Sequence, residues 1–327
     1  MRAKAVANAN IALIKYWGKR EATLKLPDVG SISITLDDLE TITEVSFDAS
    51  LTEDRFVLNH DAQPHETARV TGYLDLIRSM AGIETRALVE SENNFPTGAG
   101  LASSASGFAA LAMAASHAAG LELSPEELSV LARRGSASAA RSLFGGFVEM
   151  RRGQLDDGSD AHALPILDQS AWPLGVAVAI TSRVRKAIGS TDAMEQSALT
   201  SPFYGPWVSN QETDLEAMRR AIGQRDFEKM ADLSEFSCLK MHGLMLSTNP
   251  GLVYWNGTTV DCIHAVRELR AGGVPVFFTI DAGPQVKAVC LPDARDQVTR
   301  TLRDVTGVHD VIETGLGQGA KLIGDAS

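Results

Sequence analysis

The chain has 327 residues, of which 44% are hydrophobic and 22% are charged, and its formal net charge is −11. This length is enough for one large domain or two ordinary ones with a sizeable core, and the negative charge disfavours nucleic acid and anionic membranes as partners. The three cysteines lie far apart and no apolar run approaches the ~20 residues of a membrane span, so we expect no zinc site, no disulfide framework, no membrane segment and a reducing, cytoplasmic setting.

The first half of the chain alternates strand-like and loop-like pieces, with helices between them. Hydrophobic periodicity predicts strands at 11–15, 31–36, 41–47, 55–58, 85–91 and 146–150, and helices at 67–80 and 103–119. The strands at 41–47 and 55–58 fit a β-meander. Ser124 and Glu127 have the spacing of a capping box, so a further helix is expected to begin there and run to about Arg134.

The second half mixes helices with returning strands. Strands are predicted at 174–180, 276–281 and 287–291, helices at 206–222, 226–246, 258–271 and 297–305, and a polar loop at 181–196. This order is typical of an α+β domain. We therefore predict two domains, residues 1–175 and 176–327.

The stretch FPTGAGLASSASGFAAL, residues 95–111, crowds small residues and hydroxyls at the junction of a strand and a helix. Gly98 and Gly100 allow a ligand close to the backbone, and the free N–H groups of a helix N-terminus favour a phosphate. It is not a Walker A loop, because no Gly-Lys-Ser/Thr follows. From the residues alone, a phosphate loop and a tightly packed Ala-rich helix both remain open.

The phosphate-loop pattern resembles that of the GHMP kinase superfamily. Three more stretches, ANANIALIKYWGKR (7–20), SASAARSLFGGFVEM (136–150) and FTIDAG (278–283), resemble the diphosphomevalonate decarboxylase family within it, in order and over nearly the whole chain. The resemblance implies an ATP-dependent lyase that phosphorylates the 3-hydroxyl of mevalonate 5-diphosphate and then releases phosphate and CO2 to give isopentenyl diphosphate.

The resemblance also implies a fold and a catalytic set. The fold is the α+β, two-domain GHMP kinase fold, with an N-terminal α/β domain like ribosomal protein S5, a ferredoxin-like C-terminal domain and the active site in the cleft between them. The catalytic residues are Asp281, Lys15 and Arg141. Taken alone, these are a turn-forming aspartate, a strand-end lysine and a surface arginine, respectively.

The remaining site residues follow from the same motifs. The expected substrate-binding set contains polar, aromatic and basic residues: Asn10, Tyr16, Trp17, Lys19, Ser136, Ser138, Arg141 and Ser190. The expected ATP-binding set is the phosphate loop: Pro96, Gly98, Gly100, Leu101, Ala102, Ser103 and Ser104. ATP and Mg2+ are the implied cofactors, with Ser104 reaching the metal. His242 is interpreted as a structural helix residue, and a homodimer is expected because family members are commonly homodimers.

The chain departs from the family pattern near the expected diphosphate. Asp28 lies in a loop that in the family carries asparagine, and Thr191 stands where bacterial members have arginine. These changes keep a 5-monophosphate substrate as an alternative. Three further functions are compatible with this fold, namely a GHMP small-molecule kinase, a mevalonate 3-kinase and a non-catalytic module. The stretches IALIKYWGK and ARSLFGG, together with Lys15, Arg141 and Asp281, argue against these three.

Overall fold

The computed structural model describes residues 1–95, 103–184 and 186–324, and these form an α+β fold on two large sheets. The strands of the first half are β1 (Arg2–Ile14), β2 (Lys19–Glu21), β3 (Leu26–Pro27), β4 (Ser31–Phe47), β5 (Arg55–Leu58), β6 (Asp61–Ala62), β7 (Ala87–Asn93), β8 (Phe147–Met150) and β9 (Ala163–Leu167). Those of the second half are β10 (Gly175–Ile180), β11 (Val276–Thr279), β12 (Val286–Cys290), β13 (Asp310–Gly315) and β14 (Lys321–Leu322).

The helices are α1 (Pro64–Ala81), α2 (Ser103–Ala118), α3 (Pro125–Gly135), α4 (Ala139–Ser142), α5 (Ser190–Thr200), α6 (Tyr204–Gln224), α7 (Phe227–Leu246), α8 (Gly257–Ala271) and α9 (Arg295–Asp304). The capping box predicted for α3 is present, since the side chain of Ser124 accepts from the Glu127 amide and that of Glu127 from the Ser124 amide. Within the described ranges, no helix is long and apolar enough to cross a membrane.

The first sheet has the order β14-β1-β4-β7-β5-β6, with β8 pairing β4 and β9 pairing β8. The strands predicted at 31–36 and 41–47 are one continuous strand, β4. It remains paired because its bend at Asp38, where φ is 58°, is matched by a register shift between Asn8 and Asn10 of β1. The predicted β-meander is wrong, because β5 pairs with β7 in parallel and not with β4.

The second sheet has the order β11-β12-β10-β13 and is antiparallel throughout. One face packs against α7, α8 and α9 through residues such as Ala177, Cys262 and Val298. Its other face shares a core with β1 and β4, in which Val176 and Phe277 join Ile11 and Ile34. Because apolar burial dominates association between layers, this shared core fixes the two sheets against each other. The ends of β1 and β11 therefore meet.

Other segments also differ from the sequence prediction: β1 begins at Arg2 and not at residue 11, and β9 and β13 were not predicted. The predicted loop at 181–196 is wrong from Ser190 onward, where α5 begins and buries Ala193, Met194 and Ser197; a short helix with a narrow buried face leaves little apolar periodicity to detect. Strand β14 returns to the first sheet and pairs with β1. The division at residue 175 stays a prediction, and this last strand crosses it.

Candidate active site

The ends of two strands bring a carboxylate and two lysines together. Lys15 follows β1, and Asp281 lies two residues beyond β11. Lys15 Nζ donates to Asp281 Oδ1 over 2.7 Å, and Lys287 Nζ, on β12, lies 3.5 Å from Asp281 Oδ2. Both lysines are almost completely buried, while the Asp281 side chain keeps 26% of its surface exposed. Asp281 is thus the member of this group that is exposed to solvent.

The surrounding cations determine the charge of Asp281. Burial alone would raise the pKa of this carboxyl, but Lys15, Lys287 and Arg141 outweigh that effect and hold its pKa well below the usual range. Asp281 Oδ2 has no hydrogen-bond partner among the described residues. An ionised carboxylate with a low pKa is a weak proton acceptor, but it can orient a hydroxyl and stabilise positive charge.

Arg141, on α4, is a buried cation held by neutral groups. Its guanidinium donates to Ser31 Oγ over 2.6 Å, to Ser33 Oγ over 3.0 Å and to Asn10 Oδ1 over 3.1 Å. Burial lowers the pKa of Arg141 to about 10, and only the charge of Asp281 and the Tyr16 hydroxyl oppose that shift. A buried charge needs an opposite charge, and the described part of the chain gives Arg141 no salt bridge. This arrangement is typical of an anion-binding arginine.

Asn10 connects β1 to the segment that carries Arg141. Its Nδ2 donates to the Ser138 carbonyl over 3.0 Å and to Ser142 Oγ over 2.8 Å, while its Oδ1 accepts from Arg141. The hydroxyls of Ser136 and Ser138 are 3.2 Å apart. The structure therefore groups four predicted residues, Asn10, Ser136, Ser138 and Arg141, around the N-terminal end of α4.

A fourth basic residue, Lys186, was missed by the sequence analysis. Its Nζ donates to Ser190 Oγ over 2.7 Å and to the Ala282 carbonyl over 3.3 Å. Burial lowers the pKa of Lys186, and Asp281 and Lys287 are the charged groups that act on it. The sequence signal was weak, because Lys186 follows two other basic residues in a polar loop. The signal for Lys287, also missed, was a single lysine inside the apolar strand VKAVC.

The aromatic residues beside β2 lie deeper than expected. Trp17 is 1% exposed and packs with Val29, Met194 and Trp207, which matches the core role that is usual for such a tryptophan. The Tyr16 hydroxyl and the Trp17 indole N–H are buried without a hydrogen-bond partner among the described residues. Buried polar atoms normally have partners, so these two donors are exceptions within the described part of the chain.

Lys19 lies near two further basic groups. The charge of Arg69 acts on both Lys19 and Lys25. Arg69 Nη2 donates to the Gly135 carbonyl over 3.3 Å. Lys25 Nζ donates to the same carbonyl. Burial, Arg69 and Lys19 lower the pKa of Lys25 to about 8. These three cations form a second basic area, adjacent to Ser136.

Most of the predicted phosphate loop lies outside the described residues: Pro96, Gly98, Gly100, Leu101 and Ala102. Ser103 and Ser104 are described and form the first turn of α2. Ser106 Oγ lies 2.7 Å from Thr41 Oγ1 of β4 and joins this turn to the first sheet. The two serines thus stand at the N-terminus of a 16-residue helix, where backbone N–H groups and the helix dipole favour anions.

The structure shows the surroundings of Asp28 and Thr191, the two residues that depart from the family pattern. Asp28 Oδ2 accepts from the Tyr204 hydroxyl over 2.5 Å, so this carboxylate is turned toward α6. Thr191 lies in the first turn of α5, next to Ser190.

His242, interpreted as structural, is buried on α7, and its Nε2 is 3.3 Å from both the Ile280 carbonyl and Trp255 Nε1. Burial and Lys15 lower the pKa of His242, which keeps the imidazole neutral.

The two halves of the chain match two described domain families. Residues 7–163 match the diphosphomevalonate decarboxylase-like N-terminal domain, and residues 176–322 match the mevalonate 5-diphosphate decarboxylase C-terminal domain. The chain is 36% identical to diphosphomevalonate decarboxylase of Candida albicans over 97% of this chain and 96% of that protein. It is 38% identical to the human diphosphomevalonate decarboxylase over 88% of this chain and 76% of that one.

Solved structures agree with these matches. Mevalonate diphosphate decarboxylase from Staphylococcus aureus superposes with a TM-score of 0.93 at 37% identity, over 99% of this chain and 98% of that one. The enzyme from Enterococcus faecalis gives a TM-score of 0.90 at 39% identity, over 99% of both chains. A further structure, described as MDDEF in complex with MVAPP, AMPPCP and magnesium, gives a TM-score of 0.92 at 39% identity, over 99% of both chains.

Proposed function

The chain belongs to the diphosphomevalonate decarboxylase family and is an enzyme of that type, and we propose that its cleft carries out each step of the family reaction with the residues described above. The reaction uses ATP to decarboxylate mevalonate 5-diphosphate and gives isopentenyl diphosphate, ADP, phosphate and CO2. One observation supports this proposal above all. Four buried or half-buried cations, Lys15, Arg141, Lys186 and Lys287, surround the single carboxylate of Asp281 in a chain whose net charge is −11.

This charge balance fits a substrate with several negative groups. Asp281 compensates only one of the four cations, so the cleft carries an excess of positive charge, which two bound anions would neutralise. Arg141 has N–H groups beyond those that bind Ser31, Ser33 and Asn10, and a guanidinium suits a carboxylate. We assign Arg141 to the substrate carboxylate, which it holds until CO2 leaves.

Asp281 and Lys15 are assigned to the 3-hydroxyl end of the substrate. Lys15 fixes one oxygen of Asp281, and the carboxylate is assigned to accept from the hydroxyl. The hydroxyl would thereby be oriented toward the terminal phosphoryl group of ATP. When the C3–O bond to the new phosphate breaks, positive charge develops at C3, and the ionised Asp281 stabilises it. Electrons from the bond to the departing carboxylate then form the C2–C3 double bond.

The diphosphate end is assigned to polar groups around α4 and α5. The assigned residues are Asn10, Tyr16, Trp17, Lys19, Ser136, Ser138 and Ser190. The free hydroxyl of Tyr16 and the free indole N–H of Trp17 support this assignment, because both are donors without a described partner. Lys186 joins the set through Ser190 and supplies a positive charge that Thr191, an uncharged residue, does not.

ATP is assigned to the loop residues Pro96, Gly98, Gly100, Leu101 and Ala102 and to Ser103 and Ser104. The position of the two serines at the N-terminus of α2 fits a phosphate. Within the described residues, no group of three histidine, cysteine or acidic side chains is placed to hold a metal ion. Magnesium usually retains water and binds phosphate oxygens, so Ser104 is the protein group assigned to it. The metal neutralises charge on the phosphates of ATP.

We also propose that the protein is a homodimer and that it is cytoplasmic. The three cysteines are unpaired, which favours a reducing cytoplasmic setting. Leu199, Phe203 and Leu246 are exposed apolar side chains on neighbouring segments, which Ser201 and Ser247 link by a hydrogen bond of 2.7 Å. Exposed apolar groups of this kind favour contact with another protein surface, which supports a homodimer. Sedimentation at several protein concentrations would test it.

A coupled assay tests the reaction and the substrate together. Purified protein is supplied with ATP, Mg2+ and either mevalonate, mevalonate 5-phosphate or mevalonate 5-diphosphate, and ADP and CO2 are measured in the same sample. We expect equal amounts of ADP and CO2 from the diphosphate. Equal amounts from the 5-phosphate alone would assign the enzyme to phosphomevalonate. ADP without CO2 would make it a kinase and would remove the role given to Arg141.

A further inference from the structure

The outer edge of β11 is covered by side chains of α7. β11 is the edge strand of its sheet, and the outward N–H and C=O groups of a buried edge need partners. The Phe278 amide donates to Glu235 Oε1 over 3.4 Å, and the Ile280 amide donates to Cys238 Sγ over 3.3 Å. The Cys238 thiol in turn donates to the Ile280 carbonyl over 3.5 Å. Cys238 therefore binds both backbone groups of Ile280, the residue before Asp281, and His242 Nε2 also lies 3.3 Å from the Ile280 carbonyl.

The spacing on both elements explains these contacts. Glu235 and Cys238 are three residues apart and share one face of α7. Phe278 and Ile280 are two residues apart, so their backbone N–H groups point to the same edge of the strand. The helix thus takes the place of a neighbouring strand. Burial raises the pKa of the Cys238 thiol to about 11, so the thiol keeps the proton that it donates.

The same helix also holds the other end of the catalytic pair. β1 ends at Ile14, and the Lys15 amide donates to Ser237 Oγ over 3.0 Å. The Lys15 carbonyl accepts from Gln211 Nε2, on α6, over 2.7 Å. Ser237 and Cys238 are adjacent in sequence, so two neighbouring residues of α7 bind the backbone on both sides of the Lys15–Asp281 contact.

We propose that Ser237 and Cys238 are positioning residues of the active site. Ser237 fixes the backbone of Lys15, Cys238 fixes the peptide that precedes Asp281, and α7 thereby sets the geometry of the pair. The inference rests on the proposed function, because it concerns the pair assigned to the reacting hydroxyl. Neither residue touches the reacting atoms, but a displacement of about 1 Å at a catalytic group can lower the rate by about 100-fold.

Substitutions at Cys238 test the proposal by steady-state kinetics with ATP and mevalonate 5-diphosphate. We expect Cys238→Ala to lower kcat by about 10-fold, with KM within about twofold, because Asp281 acts mainly in the transition state. Cys238→Ser retains a donor and an acceptor, so its kcat should stay within about twofold of wild type. Amide exchange at Ile280 should be faster in the alanine variant and normal in the serine variant.

Ser234 offers a matched control on the same helix. It is fully buried, but its hydroxyl has no hydrogen-bond partner among the described residues, so Ser234→Ala should leave kcat unchanged. A wild-type kcat in Cys238→Ala, or a rise in KM alone, would overturn the proposal. If Cys238→Ala does not fold, Ser237→Ala decides, because it too should lower kcat with KM unchanged. Failure of the wild-type enzyme to release CO2 from mevalonate 5-diphosphate would instead contradict the proposed function.

Discussion

Each oxygen of Asp281 faces a different lysine, and the two lysines come from different sheets. Lys15 and Lys287 are buried, and each contacts one oxygen of this carboxylate. These contacts hold the pKa of Asp281 well below its usual range and keep the carboxyl ionised. A fixed negative charge in such a site is more useful for stabilising a cation than for removing a proton.

Replacing this charge should stop turnover without removing substrate binding. We expect Asp281→Asn to lower kcat by about 10³-fold, a loss typical of a preorganised electrostatic group, while KM for mevalonate 5-diphosphate stays equal or falls. KM does not rise because Lys15 and Lys287 lose their carboxylate and attract an anion more strongly. Kinetics, ATP binding and thermal unfolding measured on one preparation would check this. A near-wild-type rate would show that Asp281 does not have the assigned role.

The fall of kcat/KM at alkaline pH should reflect the loss of the proton from Lys186. Burial lowers the pKa of this lysine below its ordinary value, and only its protonated form attracts a diphosphate. As pH rises, its charge is lost earlier than that of a free lysine, so kcat/KM should fall at a correspondingly lower pH. Lys186→Arg should move this fall to higher pH, because arginine stays charged. Lys229→Arg, at an exposed position of α7, is the control, and an unchanged profile in Lys186→Arg would exclude Lys186.

At the scale of elements, the long periodic segments were predictable and the short ones were not. The helices α1, α2, α3, α6, α7, α8 and α9 and the apolar strands follow from spacing, since buried faces leave a regular pattern. Asp281, Lys15 and Arg141 were predicted as catalytic because they lie in stretches that resemble the family, and this assignment stays a prediction. The two-residue strand β14 and the helix α5 carry too few apolar residues for a signal. Lys287 was missed because its role depends on its contact with Asp281, which lies six residues earlier on the other side of the connection between β11 and β12. The sequence alone does not show that contact.

The capping box of α3 offers a test of local stability. Ser124→Ala removes the acceptor for the Glu127 amide, and loss of such a cap typically costs about 1 kcal/mol of the free energy of unfolding. We expect this loss in urea unfolding, with kcat unchanged, because the hydrogen bonds between Ser124 and Glu127 lie at an exposed helix end. Ser209→Ala, on the exposed surface of α6, should not lower stability. Equal effects of the two substitutions would contradict the role of the cap.

At the scale of the whole molecule, the last described strand closes the first sheet. Leu322 pairs with Ala5 and Lys321 with Val6, and the Ile323 amide donates to the Lys4 carbonyl over 2.9 Å. Without this strand, β1 would become an open sheet edge, and unpaired edges favour association between molecules. The C-terminal segment thus stabilises the sheet that carries Lys15.

Removing this segment should destabilise the protein. A chain that ends at Ala320 lacks β14, and we expect it to melt several degrees lower than the full chain, since a loss of about 1 kcal/mol shifts the melting temperature of a large domain by about 2–4 °C. It should also aggregate more readily. A chain lacking only residues 325–327 is the control and should have the same melting temperature as the full chain. Equal melting of all three would show that β14 contributes no stability.

The contact between Lys15 and Asp281 joins positions 266 residues apart, and this separation has a consequence during synthesis. The ribosome makes most of the first sheet and helix α2 long before Asp281 exists. At about 5–20 residues per second, domains fold in order from the N-terminus, so a nascent chain exposes the buried lysine and arginine without their carboxylate for many seconds. Catalytic competence therefore arises only after Asp281 has been made and β11 has met β1.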